Sequence, residues 1–275
     1  MKNNLVRLSE TKDLRNITVL VTSRCNLKCK HCATYSSQHP HPYHYELETL
    51  KKSVSRYFES MSIPIGLVTI SGGEPLLHPR IAEFIEFISQ YGPRVRMIEI
   101  ITNGNIVPND KLIAALKKSE KFNLLIDDYG DKLSPNIKKM TEKLDASDIA
   151  YRVRNYTSVD TWCDGWIDVS DFTPKNRREN EIEDIFNRCA FNNIYKNIDF
   201  LINGRVHMCY VIKEALPMVE ELEEESVNLL DDSLSPSDIE ERIFDLRKRK
   251  YVMGCINCNG YLIEGGIRRM PAEQM

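Results

Sequence analysis

Apolar residues along this chain alternate between short continuous runs and helically spaced stripes. The runs are Ile17–Thr22, Leu67–Ser71, Met97–Thr102, Phe122–Asp127 and Ala150–Arg154, and their length and aliphatic content predict strands. The stripes predict helices between them. Glu46–Ser60 sets Leu47, Leu50, Val54 and Tyr57–Phe58 on one face, and Arg80–Tyr91 does the same with Ile81, Phe84, Ile85 and Ile88, with Gly92 as its stop. Asp110–Ser119 buries Leu112, Ile113 and Leu116, and a fourth helix covers about Pro135–Leu144. Gly165–Val169 reads as a sixth strand reached by a short connection. Strand–helix alternation repeated about six times predicts an α/β fold: a parallel sheet with helices outside, curled into a partial (β/α)6 barrel. Ligands of such sheets bind beyond the carboxyl ends of the strands. Cys25–Cys32, Gly72–Glu74, Thr102–Asn103 and Asp127 all fall there.

Beyond about Asn180 the pattern changes. Ile198–Ile202 and Arg205–Cys209 flank Asn203-Gly204, a hairpin signal. Glu220–Glu225 is an acidic run that reads as a solvated helix face. Ser235-Pro236-Ser237-Asp238 opens a helix running to about Lys250, and Gly254-Cys255-Ile256-Asn257-Cys258 follows. The expected organisation is therefore a core over 1–180 and a small α+β unit over 181–275. His39–His44 carries three histidines among prolines at a spacing that suits no regular metal site, and reads as a loop.

Composition narrows the class. A chain of 275 residues with 42% hydrophobic and 28% charged residues is that of a soluble globular protein. A net charge of −3, without a basic stripe carrying interleaved aromatics, gives no reason to expect nucleic acid. Met1–Asp13 is polar and no run approaches the length of a membrane span, so neither a signal peptide nor a membrane is expected. Eight cysteines without an export signal read as reduced cytoplasmic thiols free to bind metal.

Three of those thiols stand in Thr22–Thr34, T-S-R-C-N-L-K-C-K-H-C-A-T, directly after the first strand. Cys25, Cys29 and Cys32 form a C-x3-C-x2-C array that can close on one metal centre locally. Three thiolates are one short of a closed four-thiolate site, and a zinc knuckle is the alternative reading. The array resembles the signature of the radical S-adenosylmethionine (SAM) superfamily, in which three cysteines hold a [4Fe-4S] cluster and SAM chelates the open iron. Gly72-Gly73-Glu74-Pro75, on the next strand, resembles the family's GGE motif, which holds the amino group of SAM. Two glycines permit a close backbone approach and a carboxylate suits an ammonium group. By the same resemblance Thr102, Asn103 and Asp127 stand where the family contacts SAM. Arg152 and Arg154, on one face of strand five, either meet the SAM carboxylate or an anionic substrate group, or form salt bridges at the sheet edge.

Cys189, Cys209, Cys255 and Cys258 form C-x19-C-x45-C-x2-C, which resembles the Twitch form of the SPASM domain with its auxiliary [4Fe-4S] cluster. A structural Zn(Cys)4 site is the other reading. The resemblance implies an oxidoreductase that removes a hydrogen atom from a secondary alcohol of a sugar, sugar-nucleotide or aminocyclitol through a 5′-deoxyadenosyl radical. The auxiliary cluster accepts the electron, and a flavodoxin- or ferredoxin-type protein supplies the reducing one. Asp168, Asp171 and His207 are the candidate bases. Cys163, which neither cysteine set uses, would be the hydrogen-atom donor of an alternative epimerase or an inert packing thiol. A peptide-modifying enzyme is a further alternative, disfavoured by the 24 residues that precede Cys25.

Overall fold

The structure is a computed structural model that describes residues 14–157, 161, 164–168, 171, 173–193, 197–209, 225–261 and 263–275. Five strands follow the expected alternation: β1 (Arg15–Thr22), β2 (Ile65–Gly72), β3 (Val95–Thr102), β4 (Phe122–Asp128) and β5 (Ala150–Asn155). Helices α1 (Leu47–Ser60), α2 (Ile81–Ile88), α3 (Asp110–Leu116) and α4 (Ile137–Ala146) connect them. The stripe through Tyr91 does not continue as α-helix. After Ile88 the chain tightens into a 3-10 turn over Ser89–Arg94 that contains Gly92 and Pro93, neither of which sustains a helix. The later elements are β6 (Trp166–Ile167), α5 (Glu179–Arg188), α6 (Ala190–Asn193), β7 (Ile198–Ile202), β8 (Arg205–His207), β9 (Ser226–Asn228), α7 (Pro236–Leu246) and β10 (Arg268–Arg269).

Eight of the strands form one sheet in the order β5-β4-β3-β2-β1-β7-β8-β9. Strands β1 to β5 pair in parallel, with Ile17 opposite Val68, Val68 opposite Ile98 and Ile100 opposite Leu124. That face carries Ile17, Val19, Val68, Ile70, Ile98, Ile100, Leu124 and Ile126, all buried against the helices. Burial of this continuous apolar layer is the main force holding the fold. The opposite face is largely polar, since a one-residue step along each strand turns the side chain over. Thr18, Thr69, Glu99 and Asn123 lie in one row across it, and Asp127, Arg152 and Arg154 lie further along.

The sixth parallel strand differs from the expectation. Among its described residues, 165–168, the strand is the two-residue β6, which does not extend the sheet beyond β5 but pairs antiparallel with β10 in a separate ribbon. The strand that joins in parallel is β7, on the other side of β1, with Asn16 opposite Ile198 and Val19 opposite Leu201. All five residues of β7 are buried, whereas β5 is half-exposed, with Val153 at 42%. The apolar run thus takes the buried place. One carboxylate secures it: Asp199 of β7 accepts from Arg15 Nε of β1 at 3.0 Å, Tyr57 Oη of α1 at 2.7 Å and Arg247 Nη2 at the end of α7 at 3.1 Å. Hairpin β7–β8 therefore belongs to the same sheet as the three-cysteine strand.

Two further expectations change. Helix α7 opens as expected, with Ser235 as its cap and Pro236 in its first turn, but ends at Leu246. Residues 220–224 of the acidic run lie outside the described residues. Glu225 is not on a solvated helix: it is buried in a turn, accepts from the Met253 amide at 3.0 Å and faces Arg249 Nη1 at 3.6 Å. His39–His44 is irregular, as expected. Among the described residues no helix is long and apolar enough to cross a membrane.

Candidate active site

The carboxyl ends of β1 to β4 are tied into one assembly. Gly73 N–H donates to Thr22 O and Glu74 N–H to Arg24 O, both at 2.8 Å, so the end of β2 runs alongside the cysteine loop. The two glycines are there for this contact. A Cβ on Gly73 would stand 2.1 Å from Arg24 O, and one on Gly72, whose φ is +138°, would stand 2.2 Å from Thr22 O.

Glu74 is fully buried, and its carboxylate joins β2 to β3. Oε1 accepts from Leu76 N at 3.0 Å and Thr102 Oγ1 at 2.9 Å, and Oε2 accepts from Asn103 N at 2.8 Å. Burial outweighs these bonds and pushes the carboxyl up to about 7. Asn103 continues the chain of contacts, donating from Nδ2 to Asn26 Oδ1 at 2.8 Å and to Cys25 Sγ at 3.7 Å. Ser134 closes the β3–β4 side by donating to Asn103 O and lying within 3.2 Å of Asp127 O.

Both arginines of β5 point to the polar face, and each meets a carboxylate. Arg154 clamps Asp127 through Nε at 2.6 Å and Nη2 at 2.8 Å, a bidentate pair. Arg152 reaches across β4 to Glu99, at 3.1 and 2.8 Å. Of the two roles expected for these arginines, salt-bridge formation is the one their contacts display. Burial still holds the Glu99 carboxyl above its usual range despite Arg152.

The three cysteines lie under a small apolar shell made by Leu27, Tyr129, Leu133, Trp166 and Ala272. Burial pushes the Cys25 thiol up to about 12 and Cys29 up to about 11, so bare thiolates are unfavourable there and a cationic iron centre would stabilise them. Each sulfur also has a hydrogen-bond partner: Leu27 N at 3.4 Å from Cys25, Gln274 Nε2 at 3.4 Å from Cys29 and Thr34 Oγ1 at 3.2 Å from Cys32. Such contacts are those made to the sulfurs of iron–sulfur centres. Among the described residues no group of three His, Cys, Asp or Glu side chains could hold a single metal ion. Three thiols in one loop, each with a hydrogen-bond partner at its sulfur, are the ligand set of a cluster with one open iron. The residues fit a cluster.

Cys189, Cys209, Cys255 and Cys258 line one cavity of about 500 Å3, open space included, with Phe186, Phe191, Met208, Val252 and Tyr261. Tyr261 N donates to Cys189 Sγ and Gly260 N to Cys258 Sγ, both at 3.3 Å. Burial pushes Cys255 up to about 12 and raises Cys189 and Cys258. Arg177 braces the C-x2-C turn, donating from Nη1 to Cys258 O at 2.6 Å and Ile256 O at 3.2 Å. Burial, with the nearby charges of Cys258, Asp168, Cys209 and Cys32, holds the Tyr35 phenol well above its usual range.

The three described base candidates separate. Asp168 stands by the cysteine loop, 3.6 Å from His31 Nδ1. Asp171 is partly exposed and bonded to Thr173, Lys175 and Asn259, which hold its carboxyl well below the usual range and make it a poor base. His207 is buried on β8. Cys163 lies outside the described residues. Sequence reasoning missed Asn26, Arg177 and the aromatic group of Tyr129, Tyr156 and Trp166, whose ring centroids are 5.1 to 6.3 Å apart. Tyr129 was the accessible one, two residues beyond Asp127 at a strand's carboxyl end.

Comparison with known proteins agrees with this arrangement. The radical SAM superfamily model matches residues 19–159. A GTP 3′,8-cyclase of Clostridium acetobutylicum is 32% identical over 152 residues, which are 50% of this chain and 45% of the cyclase. The subtilosin biosynthesis protein AlbA of Bacillus subtilis is 29% identical over 111 residues, 40% of this chain and 22% of AlbA. The chain thus spans less than half the length of these relatives. Among solved structures, BtrN in complex with AdoMet and 2-DOIA aligns over 95% of this chain and 98% of its own, with a TM-score of 0.53 and 17% identity. Native anSMEcpe with bound AdoMet aligns over 94% and 93%, at 0.52 and 12%. These likenesses show the shared α/β fold. A family match over half the chain, taking in the loop of three cysteines near its start, makes this protein an enzyme of the radical SAM superfamily.

Proposed function

We propose that the protein is a cytoplasmic radical SAM oxidoreductase that converts a secondary alcohol of a carbohydrate-like molecule to a ketone. The observation that carries this reading is the second set of cysteines: four thiols lining one cavity. Four ligands close a cube, which suits an auxiliary cluster in a Twitch-like unit over 181–275. When bound, the core cluster with SAM supplies a 5′-deoxyadenosyl radical that removes a hydrogen atom, and a second cluster supplies a one-electron acceptor. The two-electron oxidation then balances as one hydrogen atom to the radical, one proton to a base and one electron to the acceptor. A flavodoxin- or ferredoxin-type protein is the proposed reductant of the core cluster.

The chain's own residues take the remaining tasks. Cys25, Cys29 and Cys32 hold the core cluster. Gly72 and Gly73 fix the cysteine loop, and Glu74, with an Oε2 lone pair beyond its bond to Asn103, receives the amino group of SAM. Thr102 and Asn103 orient that carboxylate. Asp127 with Arg154, and Glu99 with Arg152, form a polar wall for hydroxyl groups. Asp168, 3.6 Å from His31 Nδ1, is the proposed base. BtrN, whose fold this chain shares, was solved with AdoMet and 2-DOIA.

The test is anaerobic turnover with SAM, reductant and a panel of sugars, sugar-nucleotides, aminocyclitols and peptides. A ketone formed in step with 5′-deoxyadenosine from one of the alcohols supports the reading, and a modified peptide with no alcohol turned over contradicts it. The Cys255→Ala/Cys258→Ala double variant should still cleave SAM while making no ketone. Ketone formation by that variant would remove the electron acceptor from the account.

A further inference from the structure

The segment Arg268–Met275 lies along the three-cysteine loop, more than two hundred residues earlier in the chain. Its first residues are β10, held to β6 by the pairs Arg268–Ile167 and Arg269–Trp166. Its last residues pair with the loop itself. Lys30 N–H donates to Glu273 O at 2.7 Å, Met275 N–H donates to Lys28 O at 2.9 Å, and Cys29 and Gln274 form an antiparallel bridge. Lys30 Nζ stands 3.2 Å from Glu273 Oε1. Ala272, at the turn, has φ +52° and is 1% exposed. An alanine in the left-handed region costs about 1 kcal/mol or more, so the surrounding contacts enforce this turn. It packs on Leu27 and Cys29.

Gln274 is fully used in this arrangement. Its Oε1 accepts the Lys28 amide at 2.9 Å, and its Nε2 donates to Ala272 O at 2.7 Å and to Cys29 Sγ at 3.4 Å. The orientation of the amide follows from its partners. Lys28 N–H can only donate, so the oxygen faces it, and the two N–H groups are left for the carbonyl and the sulfur. Cys29 is correspondingly the one buried thiol of the three.

We propose that Gln274 is a positioning residue for the core cluster: its side-chain N–H stays on the Cys29 sulfur in the loaded enzyme and raises the cluster's reduction potential. Reduction adds one negative charge to a centre whose thiolates already carry charge. A donor dipole aimed at a sulfur stabilises the reduced form more than the oxidised one, and hydrogen bonds to sulfur and solvent exposure are the protein's levers on such potentials. The strap supplies the bond through Gln274, while its cover through Ala272 excludes water and acts in the opposite direction. The inference rests on membership of the superfamily and not on the alcohol-oxidising reading, so either can fail without the other.

The test is an EPR-monitored redox titration of the full-length loaded enzyme, following the signal that responds to added SAM. Gln274→Glu keeps an oxygen for the Lys28 amide but removes the donor to sulfur, and Gln274→Met removes both at similar volume. With iron content equal to wild type, each variant should be reduced about tenfold less favourably, a midpoint lower by about 59 mV for one electron. A midpoint unchanged or raised in both variants would leave Gln274 a strap-holding residue only and overturn the proposal. A second measurement needs no substitution. In wild-type protein carrying 15N-glutamine, pulsed EPR of the reduced core cluster should show a 15N coupling from the side-chain amide, and its absence would also overturn the proposal.

Discussion

Gly73 and Glu74 show how little freedom the cysteine loop has. Gly73 lies so close to Arg24 that any side chain must push the loop away. Gly73→Ala should therefore cost about 1–3 kcal/mol of stability and lower the iron bound at the first cysteine set, as measured by denaturation and metal analysis. Gly265→Ala, where nothing lies within 4 Å, should cost only its backbone strain and leave iron unchanged. The reason for the two glycines was only partly legible in the sequence. Gly-Gly-Glu at a strand end signals a close approach, but nothing local says that the approach is to the neighbouring backbone. Glu74 makes a pH prediction for the protein before loading. Its carboxyl titrates at about 7 when folded against 4.5 as the ordinary value. Between those values the folded chain retains a proton that the unfolded chain has released. Stability should fall as pH rises across that window, by up to about 3 kcal/mol. Denaturation from pH 4 to 8 should show this slope, and Glu74→Gln should flatten it.

At the scale of elements, the apolar runs and stripes located β1 to β5 and the helices between them because each run needs a covered face and each stripe supplies one. The sixth parallel strand was misplaced for a reason of the same kind. Sequence order suggests that the next run after β5 pairs with it, but a half-exposed β5 is the sheet's edge, and the fully buried run Ile198–Ile202 pairs with β1 instead. The contacts that select this pairing come from Arg15, Tyr57 and Arg247, distant in sequence from Asp199. Asp199→Asn would leave the buried Arg15 and the partly buried Arg247 facing a neutral group. Loss of about 3–5 kcal/mol is expected, measured by urea unfolding, with Arg152→Ala at the half-exposed edge costing less.

At the scale of the whole molecule, the second set of cysteines lines one cavity although it is assembled from three separate segments. The spacing of the first set was legible because its ligands are local. The closing turn of the second, Cys255–Cys258, was legible for the same reason. What surrounds them was not: Gln274 reaches Cys29 across 245 positions, and Arg177 braces Cys258 across 81, with no periodicity or motif to announce either. The central claim, one SAM-binding cluster and one closed cluster, is tested most directly by Mössbauer spectroscopy with iron and zinc analysis of anaerobically loaded protein. Wild type should hold about eight irons as two cubes. The Cys25→Ala/Cys29→Ala/Cys32→Ala and Cys255→Ala/Cys258→Ala variants should each hold about four, and only the second should still bind SAM at iron. Four irons in wild type, with zinc at Cys189, Cys209, Cys255 and Cys258, would contradict it.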